Sequence, residues 1–279
     1  MQDREEITRV ITDFWNQTSD GWRTIWGPHI HHGFYADNSS LTPLEAQELL
    51  INKLATSLEI APQDKILDAG CGMGGSSIYL AKNYAAHVTG ITISQKQASI
   101  AIQDAAYHRV SNVSFLIEDA LRLNSFKDNS LDIIWSLESC EQFYDKSLFI
   151  QQAYRVLRPA GKLMLATWCS DKEEYEGHHA KQYKKLCLAF DLPCMPTIEY
   201  YNTLLCSHAF RISQSHDWSK EVMKSWDVGL SLANAYSVIQ LIRMGGWRGY
   251  RFIKQARLMR EAFRLGRVRY GVFIAAKPA

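Results

Sequence analysis

The chain of 279 residues lacks the features that mark secreted and membrane-spanning proteins. It has no apolar signal-peptide segment at its N-terminus and no uninterrupted run of about 18 apolar residues. Its six cysteines form no C-x-x-C pair, and cysteine and histidine do not cluster at zinc-site spacing. We therefore expect a cytoplasmic protein with reduced cysteines and no metal site.

A strong excess of charge is missing as well. The formal net charge is only +2, which gives no electrostatic indication of a nucleic-acid partner. The chain is long enough to bury a full core, and its apolar content of 47% is ordinary for a globular protein. We expect no nucleic-acid partner and a monomer or homodimer.

From Lys65 onward, segments of strand and helix character alternate along the chain. This alternation predicts an α/β fold, a Rossmann-like seven-stranded and mostly parallel sheet with helices on both faces. The last strand is expected to be antiparallel, at or near the edge. The predicted strands cover residues 65–69, 87–92, 113–118, 131–137, 162–168, 209–218 and 268–276, and the helices between them include 75–84, 95–109 and 146–157.

Other segments exceed what the connections of such a sheet require. Residues 1–60 are predicted to be an N-terminal helical and lid segment. The core would cover 61–218, with 170–208 partly in the lid. A helical lid insertion at 219–266 would precede the final core strand at 267–279. In open α/β folds ligands bind at the carboxyl edge of the sheet, so the lid is expected there.

The most informative motif is KILDAGCGMGG, Lys65 to Gly75. A buried strand with Asp68 near its end runs into a glycine turn and then into a helical segment, which together form a nucleotide-type pocket. The same glycines fit two patterns. G-x-G-x-x-G, at Gly70, Gly72 and Gly75, would hold a dinucleotide pyrophosphate. D-x-G-x-G-x-G would hold S-adenosylmethionine (SAM).

Two observations favour SAM. Asp68 stands two residues before the first glycine, where a carboxylate would repel a pyrophosphate but attract the ammonium and sulfonium groups of SAM. The next strand, in AHVTGITIS, ends without the acid that a dinucleotide fold places about 20 residues further on for the ribose. SAM is therefore the expected cofactor.

Acidic residues follow two strands that should end beside the glycine turn. Glu138 and Glu141 follow an apolar run, and they would bind a cationic substrate group, act as a base with a raised pKa, or simply precede a helix. Glu118, Asp119 and Ala120 follow the third strand. An acid there would accept a hydrogen bond from an adenine amino group or be a solvated loop residue.

Two further segments are unusual in composition. WGPHIHHGFY places His29, His31 and His32 among aromatic residues without a carboxylate or cysteine at matching spacing, which favours a lid loop over a metal site. The segment from Arg243 to Arg269 has nine basic residues and one acidic residue. It predicts either a solvated helix face or a peripheral membrane contact.

These motifs resemble class I SAM-dependent methyltransferases, more closely the γ-tocopherol C-methyltransferase group and more distantly cyclopropane fatty acid synthases. The resemblance runs from about Ile11 to Lys277. It rests on IWGPHIHHGFY, ILDAGCGMGGSS, TGITISQKQ, WSLESCEQFYDK, YRVLRPAGKLMLATWC, DWSKEV and LMREAFRLGRVRYGVFIAAKP. It implies a hydrophobic substrate cavity under helices 219–266.

The resemblance also implies roles for individual residues around the cofactor. The methionine moiety and ribose would be held by Asp68, Gly70 and Gly72. The ribose and adenine would be surrounded by Thr92, Ile93 and Gln97, and the adenine would also contact Asp119 and Ala120. The sulfonium side would be approached by Trp26 and His31.

Three residues are predicted to be catalytic: Glu138, Glu141 and His31. The expected reaction is methyl transfer to carbon or nitrogen of a small, mainly apolar acceptor of tocopherol, quinol or indole type. Gln142 stands where relatives commonly have His, a departure that bears on the acceptor more than on methyl transfer. The alternatives are O- or N-methylation of a polar small molecule, a SAM-binding module without turnover and, least favoured, an NAD-dependent dehydrogenase.

Overall fold

The computed structural model describes residues 4–35 and 40–279, so residues 1–3 and 36–39 of the predicted N-terminal segment lie outside the described residues. A seven-stranded sheet forms its centre. Its strands are β1 (Lys65–Ala69), β2 (His87–Thr92), β3 (Val113–Ile117), β4 (Leu131–Leu137), β5 (Leu157–Ser170), β6 (Arg211–Asp217) and β7 (Val268–Ala276). Their order across the sheet is β3-β2-β1-β4-β5-β7-β6.

Strands β1 to β5 are parallel, whereas β7 runs antiparallel to both of its neighbours, β5 and β6. The predicted α/β architecture is confirmed, with β7 next to the edge strand β6. The fifth strand begins earlier than predicted because Leu157 already pairs with Leu131. A register shift then lets the chain resume pairing at Lys162 opposite Ile133.

Ten α-helices and one 3₁₀ turn are described around the sheet. They are α1 (Arg4–Ile25), α2 (Pro43–Leu58), α3 (Gly75–Tyr84), α4 (Gln95–Tyr107), the turn Cys140–Gln142, α5 (Lys146–Val156), α6 (Gly177–Ala189), α7 (Ile198–Ser207), α8 (Ser219–Val222), α9 (Lys224–Ala233) and α10 (Val238–Arg264).

Local sequence signals explain where several helices begin. Thr42 and Ser237 each form a capping box at the start of α2 and α10, and the Ser94 hydroxyl caps α4. Both faces of the sheet are covered. Trp135 and Tyr270 belong to one buried cluster, and Phe149, Tyr201 and Phe273 belong to the other.

Helices α1, α9 and α10 form a lid near the carboxyl edge of the sheet. The Phe252 ring of α10 packs against Phe14 and Trp22 of α1, with ring centroids 5.9 Å and 4.9 Å away. Helix α10 is kinked at Gly246, whose positive φ of 63° favours glycine. A Cβ at Gly246 would lie 2.8 Å from the Gln17 side chain, so the kink also permits close packing on α1.

Candidate active site

The glycine turn after β1 forms the floor of a cavity of about 110 Å³. Gly70 has a φ of 80°, and a Cβ there would lie 2.4 Å from the Cβ of Ser139. Gly72 has a φ of 55° and would place its Cβ no closer than 3.8 Å to a neighbouring side chain. The first glycine therefore permits close packing on the end of β4, whereas the second leaves backbone open to a ligand.

Asp68 lines this cavity although only 2% of its surface is exposed. Its carboxylate accepts a hydrogen bond of 2.6 Å from the Ser77 hydroxyl in the first turns of α3. Burial raises the pKa of Asp68 to about 7, against the effect of that hydrogen bond. A cation placed in the cavity would stabilise the ionised form.

The ends of β2, β3 and β4 complete the cavity. Of the nine residues predicted to bind the cofactor, eight line it together: Asp68, Gly70, Gly72, Thr92, Ile93, Gln97, Asp119 and Ala120. The Thr92 hydroxyl donates to the Gln97 side-chain oxygen at 2.8 Å, which fixes that amide at the wall. Glu118 Oε2 is buried in the same wall with no hydrogen-bond partner.

A second cavity of about 150 Å³ lies beneath α9 and α10. Its lining is mainly apolar and includes the aromatic residues Trp22, Trp26, Trp168, Phe190, Trp226 and Phe252. Trp26 was predicted to bind the cofactor, but the structure places it in this second lining. Its indole Nε1 donates a hydrogen bond to the His31 carbonyl at 3.2 Å. Its ring packs so closely against Gly229 that a Cβ at that position would clash with it.

The two cavities share a wall. Five residues line both of them: Trp15, Ile30, His31, Glu138 and Gln142. Within that wall the Trp15 indole donates a 2.8 Å hydrogen bond to the Gln142 side-chain oxygen. This bond connects α1 to the turn after β4, and no local sequence pattern predicts it because the partners are 127 residues apart.

Glu138 is buried and fully engaged in hydrogen bonds. It accepts from the main-chain N–H and Nδ1 of His32, from the Tyr270 hydroxyl and, at 3.3 Å, from the Trp168 indole. Burial opposes its ionisation, but the charge and hydrogen bonds of His32 hold the pKa of the carboxyl below its usual value. Glu138 thus organises the lid loop as an anion.

Glu141 is also buried, but half of its carboxyl group is free. Its Oε1 accepts a 2.8 Å hydrogen bond from the main-chain N–H of Trp168, whereas its Oε2 has no hydrogen-bond partner. Burial, followed by the nearby charge of Glu138, raises the pKa of Glu141 to about 8. The side chain lines the second cavity, where it can bind or exchange a proton.

His31 is buried in the wall common to both cavities. Its Nδ1 lies 2.7 Å from the His32 carbonyl, which can only accept, so Nδ1 carries the proton and Nε2 presents a lone pair. Nε2 has no hydrogen-bond partner. Burial lowers the pKa of the His31 imidazole, although the Glu138 charge acts in the opposite direction. The lowered pKa keeps the imidazole neutral.

The three predicted catalytic residues therefore lie together, in distinct environments. Sequence reasoning missed His32 and Tyr270, which hold Glu138, although His32 belongs to the loop already marked as unusual. It also missed His29, whose imidazole lines the first cavity with Nδ1 unpartnered. Burial lowers the pKa of His29 to about 3.

Comparison with known proteins agrees with this geometry. Residues 60–227 match a family model described as "Methyltransferase domain". The chain is 32% identical to tocopherol O-methyltransferase of Arabidopsis thaliana, over 98% of this chain and 83% of the relative. It is also 32% identical to 2-methyl-6-phytyl-1,4-hydroquinone methyltransferase of Synechocystis sp., over 93% of this chain and 85% of the relative.

A more distant relative and a solved structure extend this comparison. Norajmaline N-methyltransferase of Rauvolfia serpentina is 26% identical over 92% of this chain and 94% of its own length. The mycolic acid cyclopropane synthase CmaA1, solved with S-adenosylhomocysteine, superposes with a TM-score of 0.84 at 21% identity, covering 97% of this chain and 98% of the other. With SAM as its cofactor, the chain belongs to the class I SAM-dependent methyltransferases, in the tocopherol and quinol methyltransferase subgroup.

Proposed function

We propose that the enzyme transfers the methyl group of SAM to carbon or nitrogen of a small, mainly apolar aromatic acceptor with one ionisable O–H or N–H group. The observation that carries this proposal is the unpartnered lone pair of His31 Nε2, buried in the wall between the two cavities. A buried polar atom without a partner is costly, so a ligand group that pairs with it gains affinity.

The first cavity suits SAM. Asp68 would face its cationic groups, the open backbone at Gly72 would accept close approach, and the unpartnered Glu118 Oε2 would accept from a hydroxyl or amino group. When bound, SAM supplies an electrophilic methyl group on its sulfonium. The protein then needs to align the acceptor and exclude water more than to activate the methyl group.

The second cavity favours a flat apolar acceptor. Its many aromatic side chains provide large contact areas, and three of its buried polar atoms have no partner: His31 Nε2, Glu141 Oε2 and Trp226 Nε1. A polar molecule with many hydroxyl or charged groups would lose hydration that so few partners cannot replace. This disfavours the alternative of a polar amine or acid as acceptor.

The proton balance assigns a role to the wall residues. As the carbon–sulfur bond of the donor breaks and a bond to the acceptor forms, the acceptor loses one proton. His31 Nε2 would take this proton from a phenolic or amine group, with Glu141 Oε2 as an alternative recipient. Removal of a phenolic proton raises electron density on the ring carbons, and removal of an ammonium proton frees the nitrogen lone pair.

The relatives support this acceptor class, because their names refer to a tocopherol, a phytyl hydroquinone and norajmaline. The test is methyl transfer from labelled SAM to a panel containing a chromanol, a prenylated quinol, an indole-derived amine and a phosphorylated ethanolamine. We expect turnover on at least one of the first three, with NMR of the product locating the methyl group on carbon or nitrogen. Turnover only on the phosphorylated amine, or SAM binding with no turnover on any acceptor, would contradict the proposal.

A further inference from the structure

Helices α6 and α10 present a joint basic and apolar surface, which we call the α6–α10 face. Helix α6 contributes residues three and four positions apart that share one side. Residues of α10 beyond its kink do the same. The face consists of Lys181, Lys184, Lys185 and Leu188 from α6 and of Trp247, Arg251, Lys254 and Leu258 from α10, all of them exposed. A shallow groove joins the two helices, lined by the three lysines, Leu188 and Arg251.

The positive charge of this face is not neutralised internally. None of its five cations forms an ion pair with a carboxylate of the described residues, whereas Arg260 and Arg264 of the same helix pair with Asp227 and Glu261. Asp191 is within electrostatic reach of Arg251 but forms no ion pair with it. The face thus offers a cluster of free cations to an anionic partner.

Large apolar side chains are interspersed among these cations. Leu188 is 68% exposed and Trp247 is 65% exposed, although both residues gain stability when they leave water. Basic residues around tryptophan and leucine on a helix surface are typical of contact with the interface of a lipid bilayer. No helix within residues 4–35 and 40–279 has the length and apolar character to cross a bilayer, so such contact would be peripheral.

The face lies one helix away from the second cavity. On α10, Arg251 and Lys254 are exposed, whereas Phe252, Ile253 and Ala256 line the cavity. Phe190, two residues after Leu188, lines it from the α6 side. A molecule held in the leaflet that this face contacts would therefore be separated from the cavity by little more than α10.

We propose that the α6–α10 face docks on an anionic phospholipid surface, with its cations at the headgroups and Trp247 and Leu188 at the level of the upper acyl chains. Charge complementarity favours this partner over a second copy of the chain. Two such faces in contact would place the five unpaired cations of one copy against the five of the other, and these would repel each other. The docking does not depend on the identity of the methyl acceptor, because it rests on surface residues outside both cavities.

The test is co-sedimentation of the full chain with phosphatidylcholine vesicles, with and without phosphatidylglycerol, at low and high salt. We expect binding to the anionic vesicles only, weakening as salt is added. Each cation near an anionic membrane contributes about a factor of five, so Arg251→Gln/Lys254→Gln should weaken binding about 25-fold. The matched control, Lys82→Gln/Lys127→Gln, removes the same charge from exposed lysines at the end of α3 and in the loop before β4, and it should bind normally.

A second variant tests the apolar component. Bromine-labelled acyl chains should quench part of the tryptophan fluorescence of the wild type and less of that of Trp247→Phe. Absence of vesicle binding, equal binding to neutral vesicles, or an equal loss in the lysine control would overturn the proposal. So would tighter binding to DNA or RNA fragments than to anionic vesicles in the same buffer. Methyl transfer measured in detergent would be unaffected by these outcomes, so failure of docking and failure of the proposed function are distinguishable.

Discussion

Glu138 accepts two hydrogen bonds from His32, one from its main-chain N–H and one from Nδ1, each 2.7 Å long. The pair connects the loop before α2 to the end of β4, and only about one-twentieth of each side chain is exposed. A third bond, from the Tyr270 hydroxyl of β7, fixes the same carboxylate. The lid loop, the end of β4 and strand β7 therefore meet at one anion, although β5 lies between those two strands in the sheet.

His32→Ala should destabilise the protein by about 3 kcal/mol or more, because it removes the imidazole that pairs with the buried Glu138 carboxylate. Denaturant unfolding of the two proteins measures this difference. The control is His87→Ala, which removes an exposed histidine that bonds to Gln63 and should cost about 0.5 kcal/mol or less. Equal losses in the two variants would show that the His32–Glu138 pair has no special role.

Glu141→Gln should make the stability of the protein less dependent on pH. Burial raises the pKa of Glu141 to about 8, so between the unfolded value near 4.5 and about 8 the folded state binds more protons than the unfolded state. The free energy of unfolding then falls as pH rises through this window, with a slope of up to about 1.4 kcal/mol per pH unit from this group. Glutamine does not titrate and removes that slope.

The comparison requires unfolding curves for both proteins from pH 5 to about 8. Asp68, whose pKa is raised to about 7, contributes a slope of the same sign but is present in both, so the difference isolates Glu141. Parallel pH profiles would contradict a raised pKa at Glu141.

Asp68→Asn should weaken SAM binding about ten- to a hundredfold, because a charge-assisted hydrogen bond or ion contact is lost while the shape is kept. Isothermal calorimetry measures the affinity. Since burial raises the pKa of Asp68 to about 7, the wild-type affinity should also rise with pH across neutrality as the carboxylate forms. Asp64→Asn, at a half-buried position before β1 that lines neither cavity, should leave affinity and its pH profile unchanged. Near-normal SAM binding by Asp68→Asn would contradict the role assigned to Asp68.

His31→Ala should lower kcat by about a hundredfold or more, which is a larger loss than that of SAM affinity, because it removes the proposed base from the wall between the two cavities. Added imidazole should restore part of the rate. His29→Ala is the matched variant, since His29 is equally buried but lines only the first cavity, and it should affect SAM affinity more than kcat. A purely structural role for His31 would give no imidazole rescue.

Trp26→Leu should raise the KM for the acceptor about tenfold while the affinity for SAM stays near its wild-type value. The reason is that the Trp26 ring lies in the lining of the second cavity and not of the first. Steady-state kinetics and calorimetry on the same preparation measure the two quantities. Weakened SAM binding with an unchanged KM for the acceptor would instead show that Trp26 contacts the cofactor.

Much of the fold was predictable because its signals are local. Buried parallel strands are short apolar runs, so the predicted bounds of β1, β2 and β4 agree with the structure, and the glycine turn marked the first cavity by itself. The early start of β5 was missed, because the pairing of Leu157 with Leu131 depends on a register shift that no local pattern reveals.

The different roles of the two carboxylates in the site were not predictable from the sequence. Glu138 and Glu141 look alike in the sequence, yet one is held by four donors and the other keeps a free oxygen. The difference arises from His32, which is 106 residues away, and from Tyr270 on the last strand. The place of Trp26 in the lining of the second cavity was not predictable either, because side-chain direction in an irregular loop follows the backbone path and not the spacing.

The wall of five residues that both cavities share has a thermodynamic consequence. A ligand that shifts His31, Gln142 or Trp15 from one side changes the shape offered to the ligand on the other side. Binding equilibria coupled in this way are reciprocal, so the factor by which SAM alters the affinity for the acceptor equals the factor by which the acceptor alters the affinity for SAM. A change at Gln142 that alters this coupling factor would therefore alter it equally for both ligands.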